Sequence, residues 1–333
     1  MKNSVEIILY GDSSKLERVL GRAGRSVKTF GSTARAEFNR IKNAASSLEG
    51  KLASLGISLG AIAIIKQSAQ LDQSLTRIGQ TAGEGKAKVA GLRAELWRMS
   101  AETGEKIENL QQGFNSAVQA GLNFKEALPV IDAVNKAAAV SGASADSLTA
   151  SLTVMSSVFG FDLSKPKEAE RLLDKMRVAG KVGSAEMEHL ANEFPRIGFS
   201  AKRAGMNVDQ TLGFLETLSQ AEKNSERRAT LAASWLRLFT TPGYMKKATA
   251  ATGVRFFDSK GTRRDAMTVF EDIKTKYDKL KTDAQRQSFI GKFLEGADTE
   301  TITASVALLQ GNFLKKGREF TKAIENSSGT IAK

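Results

Sequence analysis

A chain of 333 residues, 41% hydrophobic and 26% charged, is long enough for two or three domains with real cores and too apolar for wholesale disorder. It has no cysteine and one histidine, which excludes disulfides, zinc sites built on Cys or paired His, thiol nucleophiles and haem attachment. A formal net charge of +13 leaves two readings open: attraction to a polyanion (nucleic acid, anionic lipid or an acidic protein), or solvation of exposed helix faces.

Only four prolines occur, the first at Pro129, and the chain is rich in Ala, Lys, Leu and Ser but poor in aromatics. That balance favours helix over sheet. Met1-Lys2-Asn3-Ser4-Val5 does not read as a signal peptide, because its apolar piece is short and Glu6 and Asp12 follow. The stretch from Val5 to Tyr10 is the best strand candidate, closed by Gly11-Asp12. Ser13 or Ser14 then makes an N-cap, with Glu17 in the first turn. Apolar and small positions step by threes and fours from Leu16 through Leu20, Val27, Phe30, Phe38 and Ile41 to Leu55, with one stutter at Ala34 to Phe38. This heptad seam predicts either a self-associating helix or an amphipathic helix packed on its own domain. Leu52 to Ile65 is uncharged, bracketed by Lys51 and Lys66, and contains a small-xxx-small spacing at Gly56 and Gly60. It is short of the roughly 20 residues that a span needs, so a buried helix in an assembly competes with membrane insertion.

Shorter, well-punctuated helices follow. They are predicted over Leu92–Ser100, Glu105–Ala120 (stopped by Gly121), Phe124–Val140 (ending at Gly142) and from Ser144 to Gly160. Pro166 is placed as a first helical residue of a helix ending at Gly180. Ser184 opens the next, Gly205 closes a short one, Val208–Ala221 follows, and a helix holding Leu231, Trp235 and Leu238 runs into Thr241-Pro242-Gly243. Val254 to Thr262 reads as a short hairpin or extended turn with Gly261 at the tight position. Helices resume over Asp265–Leu280, Asp283–Leu294 and Thr299–Leu309, and Lys315 to Lys333 reads as a basic, polar tail. No short-period repeat is visible, which argues against a solenoid.

Reactive constellations are sparse. Gly79 to Ala87 has glycines and Lys86 but not the spacing of a phosphate-cradling loop, and reads as a helix linker. Gly142-Ala143-Ser144 starts like a nucleophile elbow but follows a helix, so Ser144 reads as a cap. His189 lacks a second ligand at metal spacing. The doublets Arg227-Arg228, Lys246-Lys247, Arg263-Arg264 and Lys315-Lys316 are not interleaved with aromatics, which disfavours base reading and leaves non-specific electrostatics open. The chain offers no catalytic, cofactor-binding or metal residue for assignment.

Several ordered phrases resemble one known family. Ala117-Val118-Gln119-Ala120-Gly121 before Ala127-Leu128-Pro129 is similar to its helix ending in Ala-Gly. Ala137 to Gly142 leading to Ala145-Asp146, and Ala204-Gly205-Met206-Asn207-Val208-Asp209, resemble its later helix ends and restarts. Arg237-Leu238-Phe239 ahead of Thr241-Pro242, then Thr252-Gly253-Val254 with Asp258-Ser259-Lys260-Gly261, then Ile290-Gly291-Lys292-Phe293, continue the likeness. On these phrases the stretch from about Leu71 to Gln310 resembles the core domain of bacteriophage tail tape-measure (minor tail) proteins. Ala221 to Arg228 departs from it, being polar and charged where glycines and small residues are expected.

The combined expectation is an all-α fold: a long N-terminal amphipathic, coiled-coil-like helix, then a multi-helix core domain with one short extended or hairpin segment. The divisions expected are 1–66, a helical core 67–314, and a polar tail 315–333 continuing into a longer protein. The resemblance implies a non-enzymatic virion protein that sets tail length while the tube assembles from the host cytoplasm and leaves ahead of the DNA. Its implied partners are the tail tube protein, tail assembly chaperones, baseplate or tail-tip proteins and further copies of itself, with non-specific contact to DNA or host membrane. Competing readings are a membrane-perturbing, pore-forming protein built on Leu52–Ile65, a murein-degrading tail protein, and a DNA-binding scaffold.

Overall fold

The computed structural model describes residues 71–333 except 81, 166, 328, 330, 332 and 333. The strand at Val5–Tyr10, the heptad helix and the apolar run Leu52–Ile65 lie outside the described residues. Helical residues 71–80 lead into α1 (Lys86–Thr103), α2 (Ile107–Gln119), α3 (Phe124–Ser141), α4 (Ala145–Phe159) and α5 (Glu168–Val182). Then come α6 (Met187–Arg203), α7 (Val208–Ser219), α8 (Ser225–Thr240), α9 (Pro242–Thr252), α10 (Ala266–Tyr277), α11 (Asp283–Phe293), α12 (Thr299–Leu309) and α13 (Phe313–Glu325). No strand occurs among the described residues.

Caps written in the sequence set most of these limits. Asn123 accepts from the Glu126 N–H while Glu126 reaches back, a reciprocal pair repeated by Asn207 with Gln210 and Thr282 with Gln285. Ser144 caps α4 through the Ser147 N–H, and Gly142 and Gly160 close α3 and α4 in the left-handed region.

Helices two apart in the chain pack side by side. One layer runs α2, α4, α6, α8, α12, and the other α1, α3, α5, with α7 and α13 beyond. Within the first layer the helices begin at residues 107, 145, 187 and 225, a spacing of about 40, which is the size of a helix-pair repeat. Successive helix pairs thus stack side by side without a repeated sequence, while α13 folds back onto α5 and α7, which a solenoid does not do. Each pair needs only an apolar stripe and a cap at each end, and many sequences supply those. The core is continuous from Leu71 to Ile331. Its aromatic centre is Trp235, with ring centroids 4.5 Å from Phe214, 4.4 Å from Phe239 and 5.2 Å from Phe270, where α7, α8 and α10 meet.

Other expectations are corrected. Gly180 lies inside α5 and does not end it; it is a close-approach position, where a Cβ would lie 3.2 Å from Ala185 O. The helix opened at Ser184 and the short one closed by Gly205 are a single helix, α6, which runs through Pro195 to Arg203. The turn at 254–263 forms no paired strands: it is closed by one antiparallel bridge between Phe257 and Arg263, with Gly261 at φ 79°. The helix holding Trp235 ends at Thr240, ahead of Pro242 as expected, and Pro242 itself opens a further helix, α9.

The stretch beginning at Lys315, expected as a polar tail, lies largely in α13, which packs antiparallel against α7. Leu314 and Ile324 are buried there. Gly213 of α7 faces Thr321, and Gly317 of α13 faces Thr217. A Cβ on Gly213 would overlap Thr321 Oγ1 and lie 3.1 Å from the Thr321 backbone nitrogen, and one on Gly317 would reach within 2.5 Å of Thr217 Oγ1. Reciprocal glycines let the two backbones approach where larger side chains could not interleave. Further on, the Ile331 N–H donates to Asp174 Oδ1 of α5 at 2.7 Å.

Candidate functional site

The densest polar arrangement is buried where α6, α7 and α8 converge. Arg228 of α8 and Glu193 of α6 are fully buried and form a two-point contact: Arg228 Nε donates to Glu193 Oε2 at 3.0 Å, and Nη2 donates to Oε1. Arg228 Nη1 donates to the carbonyls of Glu222 (3.0 Å) and Lys223 (3.3 Å), so the guanidinium also holds the α7–α8 connection. The neighbouring Glu216 carboxylate of α7 accepts from the backbone N–H of Ser184 (2.8 Å) and Ala185 (3.1 Å) and from Ser219 Oγ (3.0 Å). It reaches them across Gly183, where a Cβ would take the place of the carboxyl group. The polar stretch Ala221 to Arg228 thus has a structural account: Asn224 caps α8, Glu222 pairs with Arg227 at 3.1 Å, and Arg228 enters the core.

Burial pushes the Glu193 carboxyl up, to about 7, against the opposing pull of Arg228, and the Glu216 charge adds to the rise. Glu216 is itself raised by burial, opposed by its three donors. A carboxyl raised in the folded state keeps its proton where the unfolded chain has lost it. Its contribution is therefore complete below about 4.5 and is lost as pH rises toward about 7. The thermal midpoint is expected to fall between pH 5 and pH 7.5, and Glu193→Gln to flatten that fall. A wild-type midpoint that climbs across this window, or an identical slope in Glu193→Gln, contradicts the assignment.

The residues weighed for chemistry are not brought together. In the 79–87 loop the N–H groups of Ala82, Gly83 and Glu84 already donate to the carbonyls of Ile78, Gln80 and Gly79. None of those three is left to cradle a phosphate. Ser144 caps α4, and its N–H donates to Glu188 Oε2 at 2.7 Å, so a carboxylate from α6 sits at the positive end of α4. His189 lies half-buried beside Glu188, and no group of three metal-ligating side chains occurs among the described residues.

Three of the four basic doublets divide their labour. Arg228 is buried while Arg227 stays at the surface, and Lys247 pairs with Glu295 at 3.1 Å while Lys246 stays free of any carboxylate among the described residues. Arg264 pairs with Asp272 at 2.6 Å, and Arg263 lies over the Phe257 ring at 4.6 Å. Lys315 is exposed and Lys316 half-buried on α13. The aromatic interleaving missing from the sequence is thus made by the fold at Arg263, where a turn closes a cation onto a ring six residues away.

What the arrangement can do is hold helices in fixed register: apart from Glu216 Oε1, which has no hydrogen-bond partner among the described residues, its carboxylate and guanidinium groups are spent on one another and on backbone. A family model described as phage-related minor tail protein matches residues 93–294, which spans α2 to α11 and contains the whole buried network. No curated protein and no solved structure matches the chain. With more than half of its length matched, the chain belongs to the phage-related minor tail protein family.

Proposed function

We propose that this minor tail protein is the tape measure of its tail: a non-enzymatic virion component around which tube subunits polymerise until its length is covered, and which leaves ahead of the DNA. The tube protein, assembly chaperones and tip proteins are its proposed partners, with the tube lumen its place in the particle. The observation that carries the reading is the family match lying on a wholly helical unit whose charged core residues serve packing.

The stacked fold gives the reading a quantitative test. Helix pairs packed at interaxial distances of about 8–10 Å advance the stack by that much for every 40 or so residues. The same residues in one continuous helix advance roughly 1.5 Å each, about six times as far. We propose that the chain is compact when free and extended inside the tube. An in-frame deletion of residues 145–182, which removes the α4–α5 pair, is then expected to shorten tails by roughly 60 Å in electron micrographs. Shortening of only about 10 Å means that the stack stays folded in the tube. Unchanged tail length excludes a measuring role. Clearing of murein by the purified chain in zymograms would return the enzymatic alternative.

A further inference from the structure

An open groove of about 600 Å³ lies between α9 and the 254–263 turn, within the range of clefts that hold ligands. Its lining is mainly apolar: Pro242, Met245 and Ala250 from α9, with Phe256 and Phe257 opposite. Phe256 is buried, whereas Phe257 is 38% exposed. Phe257 is held from one face by Arg263, which also donates to the Phe239 carbonyl and touches Met245 Sδ at 3.5 Å. The apolar wall is therefore set in place by packing, and Met245 adds a side chain that adapts to what it meets.

The surroundings are cationic. Lys246 and Arg255 line the groove, are exposed, and have no carboxylate partner among the described residues. The one acid in the lining, Asp258, is committed to the turn: its Oδ1 accepts from the Lys260 N–H at 2.9 Å and the Thr262 N–H at 2.8 Å. Beyond Arg263 the cationic surface continues at the end of α6, where Arg203 lies over Phe199 at 5.9 Å and Phe199 is 64% exposed. Burial first, and then the nearby Arg203 charge, hold the Arg263 guanidinium below its ordinary value, so the two arginines share one neighbourhood. Like charges gathered around an exposed apolar hollow repel one another until an anion arrives.

We propose that this groove docks an acidic protein segment, with apolar side chains seated between Met245, Ala250 and Phe257 and carboxylates meeting Lys246 and Arg255. Charge complementarity selects the occupant. A nucleic acid would satisfy the cations but leave the apolar floor to be filled by a base, and the exposed Phe257 and Phe199 rings each carry a guanidinium over one face. A membrane needs a protruding apolar surface, and this one is concave. The inference rests on the reading of this chain as a tail protein, and not on length control, in taking the partner to be a protein. Tails insensitive to the deletion above would leave it standing, and failed docking would leave length control standing.

The test uses the full chain and a fluorescent synthetic peptide with two Leu and one Phe set among Asp and Glu. Saturable binding is expected. It should weaken at least tenfold when Asn and Gln replace the acids, when Ser replaces the apolar anchors, and in the exposed-site variants Lys246→Glu/Arg255→Glu and Ala250→Arg. Each variant is checked for an unchanged thermal midpoint. The proposal is overturned by no binding at millimolar peptide, by equal binding of the neutral peptide, or by unchanged binding in folded variants. It is overturned equally if a fifteen-residue oligothymidylate or anionic phosphatidylglycerol vesicles bind the same groove more tightly than the peptide.

Discussion

Replacing Arg228 by methionine is expected to destabilise the described domain by about 3–5 kcal/mol at pH 7.5, measured as a drop in the urea midpoint with unchanged slope. The cause lies in what is left behind. Glu193 is fully buried and takes its two-point contact from Arg228, so its charge loses its counter-ion in a place water cannot reach. The carbonyls of Glu222 and Lys223 lose their donors as well. Two controls separate this account from simple loss of volume. At pH 5 the loss should shrink, because Glu193, already raised to about 7 by burial, then carries a proton and needs no cation. The double variant Glu193→Leu/Arg228→Met should recover most of the stability, since an apolar pair replaces the ionic one. A pH-independent loss that the second substitution fails to recover would sink the assignment.

Gly213→Val is expected to cost about 3 kcal/mol and to free α13 before the rest of the domain unfolds. A valine at that position has no room, because the Cβ alone overlaps Thr321 Oγ1 and approaches the Thr321 backbone. Backbone cannot rotate away as a side chain can, so α13 must separate from α7 and expose Leu314 and Ile324. Limited proteolysis should cut between α12 and α13 in the variant at protease levels that leave wild type intact. Wild-type resistance in Gly213→Val would mean that α13 does not depend on this contact.

Much of the middle of the chain is legible from its residues alone. Asn123 with Glu126, Ser144, Gly142, Gly160 and Asn207 with Gln210 mark helix ends by local chemistry, and local chemistry is what a linear reading can see. What escapes it depends on partners distant in sequence. Gly180 looks like a stop until the returning chain at Ala185 is seen to press on it. Lys315-Lys316-Gly317 looks like a solvated tail until Gly317 is seen to face Thr217. Arg227-Arg228 looks like a surface doublet, yet Glu193 lies 35 residues away from its second member. Pro242 followed by Gly243 reads correctly as the end of one helix, and only the helix beyond it shows that the proline also holds a first position. The groove is equally hidden, because α9 and the turn that wall it acquire their cation–aromatic pairing by folding.

The return of α13 to α7, and of Ile331 to Asp174, has a consequence for birth as well as for shape. Asp174 and Ile331 are separated by 157 residues, which a ribosome adding 5–20 residues per second needs about 8–30 s to cover. For about two-thirds of that interval, from Ser219 to Glu325, α7 is already made while α13, the helix that covers it, is unfinished. Every nascent copy therefore presents the small-residue face around Gly213 and Thr217 to the cytosol for seconds, a pause set by translation speed and open to whatever holdase arrives first.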